Sequence, residues 1–95
     1  MYQLRKRQKT RAKQLGVQVF PSENSKYKVD IYDHNGCYIL SCGAKNYNDF
    51  FSFKEKYGLP YAKERRELYY QRHHKDIHKE GGRGYYAWTI LWDGD

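Results

Sequence analysis

The chain has 95 residues, a formal net charge of +7 and eleven tyrosines. This length predicts one small domain, and the sequence predicts neither a membrane span nor a signal peptide, because no long apolar run follows its basic start. Tyrosine buries its ring but needs a partner for its hydroxyl. Its excess therefore predicts either a small aromatic core or surfaces that another molecule completes.

The positive charge is concentrated at the start of the chain. Residues 1–20 contain no acid, and the first acid is Glu23. The remaining 75 residues carry twelve basic and eleven acidic side chains, so their net charge is only +1. We expect a basic N-terminal arm, residues 1–20, ahead of a nearly neutral domain, residues 21–95. The cations of the arm are Arg5, Lys6, Arg7, Lys9, Arg11 and Lys13.

The arm has the pattern of a helix with a thin apolar stripe. Residues 2–15 include good helix formers and no Gly or Pro, and Gly16 is a plausible stop. Like charges on neighbouring turns repel, so we expect this helix to form or persist only with a partner. Residues 17–26 contain Pro21 and a polar run, which predicts a linker.

The clearest local pattern is a β-hairpin over residues 27–42. Asn35-Gly36 predicts a two-residue turn that pairs Ile31 with Leu40 and Val29 with Cys42. In that register one face is apolar and the other is mixed. The apolar face would carry Val29, Ile31, Tyr38, Leu40 and Cys42, and the mixed face Lys28, Asp30, Tyr32, Cys37, Ile39 and Ser41.

Helical patterns follow the hairpin. Asn46 or Asn48 could cap a short helix that ends at Gly58. Phe50, Phe53, Lys54 and Tyr57 fall on one side of this helix, and Phe51 lies off it. A longer helix follows Pro60 and ends before the glycines at 81–84. Residues 85–92 fit either a strand or a helix. The predicted fold class is therefore α+β: a small domain with an antiparallel hairpin, two short helices and a Trp-rich C-terminal segment, preceded by a basic helical arm.

Catalytic and metal chemistry have weak sequence support. Cys37, Cys42, His74 and His78 could form a zinc ligand set, but the cysteines would lie on opposite faces of a strand and no CxxC pair is present. They should not pair with each other either, which fits a reducing compartment. The histidines near Asp76 could suggest a small nuclease, but no second ligand cluster accompanies them. We expect no enzyme activity, no metal and no cofactor.

The order of motifs resembles a known group of proteins. The resemblance covers about residues 27–92, and the matching elements follow the hairpin in order. They are Cys42-Gly43, Tyr47-Asn48-Asp49-Phe50, Tyr69-x-x-Arg72-His73, the glycine near 84, Trp88 and Ile90-Leu91-Trp92. In these features the chain resembles small basic proteins of unassigned function encoded by large nucleocytoplasmic DNA viruses, the algal phycodnaviruses and mimivirus-like relatives.

The resemblance implies a viral product carried in the virion, or present in the host cytoplasm or nucleus during assembly. It also implies that Arg72 and His73 contact a partner or a phosphate, although His73 could instead support the segment 88–92. With the basic arm, this predicts a minor structural protein, capsid-associated or cement-like, that docks on virion proteins. The alternative is a nucleic-acid-binding protein in which the arm contacts or condenses viral DNA.

Overall fold

The computed structural model describes residues 2–93, so Met1, Gly94 and Asp95, at the ends of the predicted arm and domain, lie outside it. The fold class is α+β, as predicted. Two compact units are present, Met1–Tyr47 and Asn48–Asp95. The division into an arm of residues 1–20 and a domain of residues 21–95 stays a prediction.

The N-terminal unit is one helix on a three-stranded antiparallel sheet. Helix α1 spans Lys6–Gln14, and strands β1, β2 and β3 span Val17–Pro21, Tyr27–Asp33 and Tyr38–Ala44 in the spatial order β1-β2-β3. Residues 17–26 are therefore not simply a linker, because the first five form an edge strand that pairs Val19 with Ile31. The alternation of Val17, Gln18 and Val19 suits a half-buried strand.

Helix α1 buries a polar residue in its apolar stripe. The Gln8 side chain is fully buried: its Oε1 accepts a hydrogen bond from the backbone N–H of Arg5 at 2.8 Å, and its Nε2 donates to the Tyr2 hydroxyl at 2.8 Å. Ala12 is also buried, and α1 packs on β1. The burial that we expected a partner to supply thus comes from the same chain. The helix ends before Gly16, whose φ is 75°.

The hairpin is confirmed, but its turn is one residue longer than predicted. Asp33 and Cys37 close a three-residue loop, and the register shifts between Ile31 and Tyr32. A two-residue type I′ turn needs positive φ at both central residues, whereas in the described residues only glycines, Gly36 among them, have positive φ. The predicted pairs of Ile31 with Leu40 and Val29 with Cys42 are present.

The register shift changes the face on which Tyr38 lies. Tyr38 is 58% exposed, and its hydroxyl lies 2.7 Å from Ser41 Oγ, which donates to Asp30 Oδ1 at 2.6 Å. Its ring also contacts Tyr32 with centroids 5.6 Å apart. Tyr38 therefore belongs to the mixed face and not to the apolar one. Val29, Ile31 and Cys42 form the buried face as predicted.

The C-terminal unit is helical. Helices α2, α3 and α4 span Phe50–Tyr57, Leu59–Ile77 and Arg83–Ala87, and a π-helical turn, Trp88–Trp92, follows α4 directly. Asp49 caps α2 by accepting the Ser52 N–H at 2.8 Å, so neither Asn46 nor Asn48 is the cap. On α2, Phe51 is buried and Tyr57 is exposed, contrary to the predicted face.

Residues 85–92, whose sequence fits either a strand or a helix, are helical in the structure. The N–H of Asp93 donates to the Trp88 carbonyl at 2.8 Å, five residues back, as a π-helix requires. Ile90, Leu91 and Trp92 are buried. The start of α4 packs closely against α3, since a Cβ on Gly84 would lie 2.7 Å from Asp76 Cβ.

The hairpin turn predicts a stability difference between two substitutions at Gly36. Gly36 has a φ of 85°, and a Cβ added there would meet no atom within 4 Å, so Gly36→Ala suffers backbone strain without a clash. We expect a loss of about 1 kcal/mol in the free energy of unfolding, and a smaller loss for Gly36→Asn, which tolerates this conformation. Urea titration followed by the NMR amide signals of residues 27–44 measures both. Equal stability of the two variants would contradict this account of the turn.

Candidate functional site

The cations of the arm are carried on helix α1 and its cap, but not all of them face solvent. Arg5 and Arg11 are half-buried, and their guanidinium groups donate to the Gln3 carbonyl at 3.0 Å and to Gln14 Oε1 at 2.5 Å. The other four are exposed. We call this set the exposed α1 cations: Lys6, Arg7, Lys9 and Lys13.

The spacing of the exposed α1 cations places three of them on one side of the helix. Lys6, Lys9 and Lys13 follow the i, i+3, i+7 pattern of a single helical face, and Arg7 lies beside it. The side that carries Gln8 and Ala12 is buried. Because residues 1–22 contain no acid, no carboxylate from this part of the sequence neutralises the cationic face.

A groove runs between α1 and strand β1. Its volume is about 770 Å³, and Lys9, Ala12 and Lys13 line it on the helix side. On the strand side it is lined by all five residues of β1, Val17–Pro21. Since successive strand residues point to opposite faces, a groove that touches all of them follows the strand edge. We call it the edge groove. The sequence pattern does not indicate this groove, because Pro21 and the polar run in residues 17–26 are typical of a linker.

Arg72 and His73 lie on α3, in the C-terminal unit, whereas the arm cations lie in the N-terminal unit. Arg72 is exposed. The half-buried His73 ring lies with its centroid 4.4 Å from that of Tyr69, and Tyr69 stacks on Trp92 at 4.4 Å and 18°. His73 therefore contacts the aromatic cluster beside the π-helical turn through Tyr69, and the contact of Arg72 and His73 with a partner or a phosphate stays a prediction.

This aromatic cluster accounts for much of the aromatic content of the C-terminal unit. Phe53 contacts Tyr57, Tyr61 and Trp92, with centroids 5.6–6.4 Å apart. Arg65 lies over the Phe53 ring at 5.4 Å. At its other end, the Tyr70 hydroxyl lies 3.1 Å from His78 Nε2. The rings contact one another along α2, α3 and the π-helical turn, so they stabilise the unit that carries Arg72.

The candidate metal ligands and thiols of the sequence can also be placed. Within residues 2–93, no group of three or more His, Cys, Asp or Glu side chains is placed to hold a metal ion. Cys37 is exposed and Cys42 is buried, and no disulfide joins the two. Burial raises the pKa of the Tyr86 hydroxyl, and Tyr85 and Glu80 raise it further.

No helix within residues 2–93 combines the length and apolar character of a membrane span.

Comparison with known proteins gave no relatives. No protein-family model matches the chain, and neither a curated protein nor a solved structure is detectably similar to it. The resemblance to small basic proteins of large DNA viruses therefore stays a prediction.

The stacking of Tyr69 on Trp92 predicts a stability effect in the C-terminal unit. Tyr69→Leu removes the ring that links Trp92 to His73, so we expect a loss of about 1–2 kcal/mol in the free energy of unfolding. Tyr69→Phe keeps the ring and should lose less. Both tryptophans lie in this unit, so urea denaturation followed by tryptophan fluorescence reports on it. If Leu and Phe were equally costly, the stacking would not be the stabilising contact.

Proposed function

We propose that this protein is a non-enzymatic docking protein whose helix α1 binds an acidic surface of a partner protein. The observation that carries the proposal is the set of exposed α1 cations on a helix that packs on its own sheet. A helix held in this way presents its charges from an ordered backbone, so less backbone entropy is lost on binding than for a free tail.

The surroundings of the cations favour a protein partner over a nucleic acid. Lys9 and Lys13 lie beside apolar side chains in the edge groove, half-buried Val17 and exposed Phe20 among them. Such a mixed surface suits a polypeptide, which offers both carboxylates and apolar side chains, better than a sugar–phosphate backbone. Arg5 and Arg11 donate to the protein itself and so contribute less to an open phosphate-binding track.

The docking proposal predicts that binding depends on the position of the cations and not only on net charge. Replacing the exposed α1 cations by Ala should weaken binding to poly-L-glutamate by about fourfold or more, since four exposed pairs at roughly 0.2–1 kcal/mol each sum to about 0.8–4 kcal/mol. A matched control replaces four exposed lysines elsewhere, Lys45, Lys63, Lys75 and Lys79, by Ala. Fluorescence anisotropy over a range of salt concentrations measures both. Equal losses in the two variants would show unspecific charge attraction.

The same titration tests the nucleic-acid alternative. If the four α1 cations each neutralised a phosphate, the affinity for duplex DNA would fall with a slope of about −3 to −4 in log–log salt dependence. Submicromolar DNA binding at about 150 mM salt, lost in the α1 variant and kept in the control, would be tighter than ordinary non-specific binding. That result would assign the helix to nucleic acid and overturn the docking proposal.

We further propose that the partner belongs to the capsid of a large DNA virus, where the protein acts as a minor structural or cement protein. The support for this part is the sequence resemblance alone. We expect the protein to remain with purified shells in a fixed ratio to the main shell protein after nuclease digestion. Quantitative mass spectrometry of the shell fraction checks this. Release together with the DNA, or absence from purified virions, would contradict it.

A further inference from the structure

The outer edge of strand β1 carries unpaired backbone groups. The Ser22 N–H donates to the Lys28 carbonyl at 2.9 Å. Because hydrogen-bonded pairs alternate along an antiparallel ladder, Phe20 and Gln18 occupy the next bonded positions, opposite Asp30 and Tyr32. The N–H and C=O groups of Val17 and Val19 therefore point away from β2. Within residues 2–93, no further strand pairs with this edge.

The edge groove combines this free edge with positive charge. One wall is the edge of β1, and the other includes Lys9 and Lys13 of α1. The two lysines are one helical turn apart, a rise of about 6 Å. Alternate side chains of an extended peptide are separated by about 6.6 Å, which is nearly the same spacing. A strand with acidic residues at alternate positions could therefore satisfy both lysines while its backbone pairs with the edge.

We propose that the edge groove binds an extended acidic segment of a partner polypeptide, which adds to β1 as a fourth strand of the sheet. This inference rests on the proposed docking function and names the form of the partner. β1 has five residues and is about 17 Å long, so it accommodates roughly five residues of the partner. Backbone pairing with Val17 and Val19 supplies affinity, and Lys9 and Lys13 select acidic side chains.

Amide hydrogen exchange measured by NMR tests this mode of binding directly. The probe is a synthetic peptide, Ac-TETETET-NH2, in which glutamates alternate with residues of high β-propensity. At a peptide concentration about ten times its Kd, exchange of the Val17 and Val19 amides should slow about tenfold. The amides of Gln18 and Phe20 already face β2, so their exchange should change little.

Matched variants separate the groove from the rest of the helix. The double variant Lys9→Glu/Lys13→Glu should lose the protection of Val17 and Val19. The control Lys6→Glu/Arg7→Glu makes the same change in net charge outside the edge groove and should retain most of it. The peptide Ac-EPPEPPE-NH2 keeps three glutamates, but its prolines occupy both alternating sets of positions. Whichever set faces β1 therefore lacks N–H donors, and the peptide should protect both amides much less.

The outcomes distinguish this inference from the docking function. If the α1 cations bind poly-L-glutamate and the acidic peptide but Val17 and Val19 stay unprotected, strand addition is wrong and docking stands. If neither anionic polypeptide binds, both proposals fail. Equal protection by the Pro-containing peptide, or by a dT10 oligonucleotide, would overturn strand addition, because neither ligand can supply a strand.

Discussion

The packing of helix α1 on strand β1 is the contact on which the proposed binding surface depends. A nine-residue helix rich in Lys and Arg is marginal in water, because it is short and its charges repel. The buried Gln8 amide connects the backbone of Arg5 to the hydroxyl of Tyr2, so the chain before the helix is held against it. A buried amide satisfied at both ends avoids the cost of desolvation and fixes the orientation of the helix. The exposed α1 cations then share one defined surface.

The packing of α1 on β1 also explains why the exposed α1 cations lie beside a free strand edge. β1 follows α1 after a short turn at Gly16, and it is one of the two edge strands of the sheet. Free edges invite unwanted pairing, and proteins commonly protect them with lysine or proline. Here Pro21 ends the strand and removes one donor, while Lys9 and Lys13 line the edge groove. The same lysines that would repel a second basic copy of the chain would attract an acidic segment.

The two units use aromatic residues in different ways. In the N-terminal unit, Phe20, Tyr32 and Tyr38 form a ladder of edge-to-face rings across the mixed face of the sheet. In the C-terminal unit the rings are packed together, and Tyr69 stacks on Trp92 beneath His73. Much of the tyrosine excess therefore serves internal packing, although Tyr47 and Tyr57 remain largely exposed. The composition predicted either a small aromatic core or surfaces that another molecule completes. The structure assigns the packed rings to particular residues, and completion by a partner stays a prediction.

Local periodicity and glycine chemistry were enough to predict the fold class, the basic helix with its stop at Gly16, the strand pairs around Ile31 and the two central helices. The sequence also identified the arm cations, since charge is visible in the sequence. The strand at residues 17–21 became evident from the pairing with β2, because a short edge strand that contains proline has no clear local pattern of its own. The hairpin turn is one residue longer than predicted, and this places Tyr38 on the other face of the sheet. On α2, Phe51 is buried and Tyr57 is exposed, because packing around the helix decides which side is covered. Residues 85–92 became helical for the same reason: periodicity over eight residues fits two structures, and packing against α2 and α3 selects one.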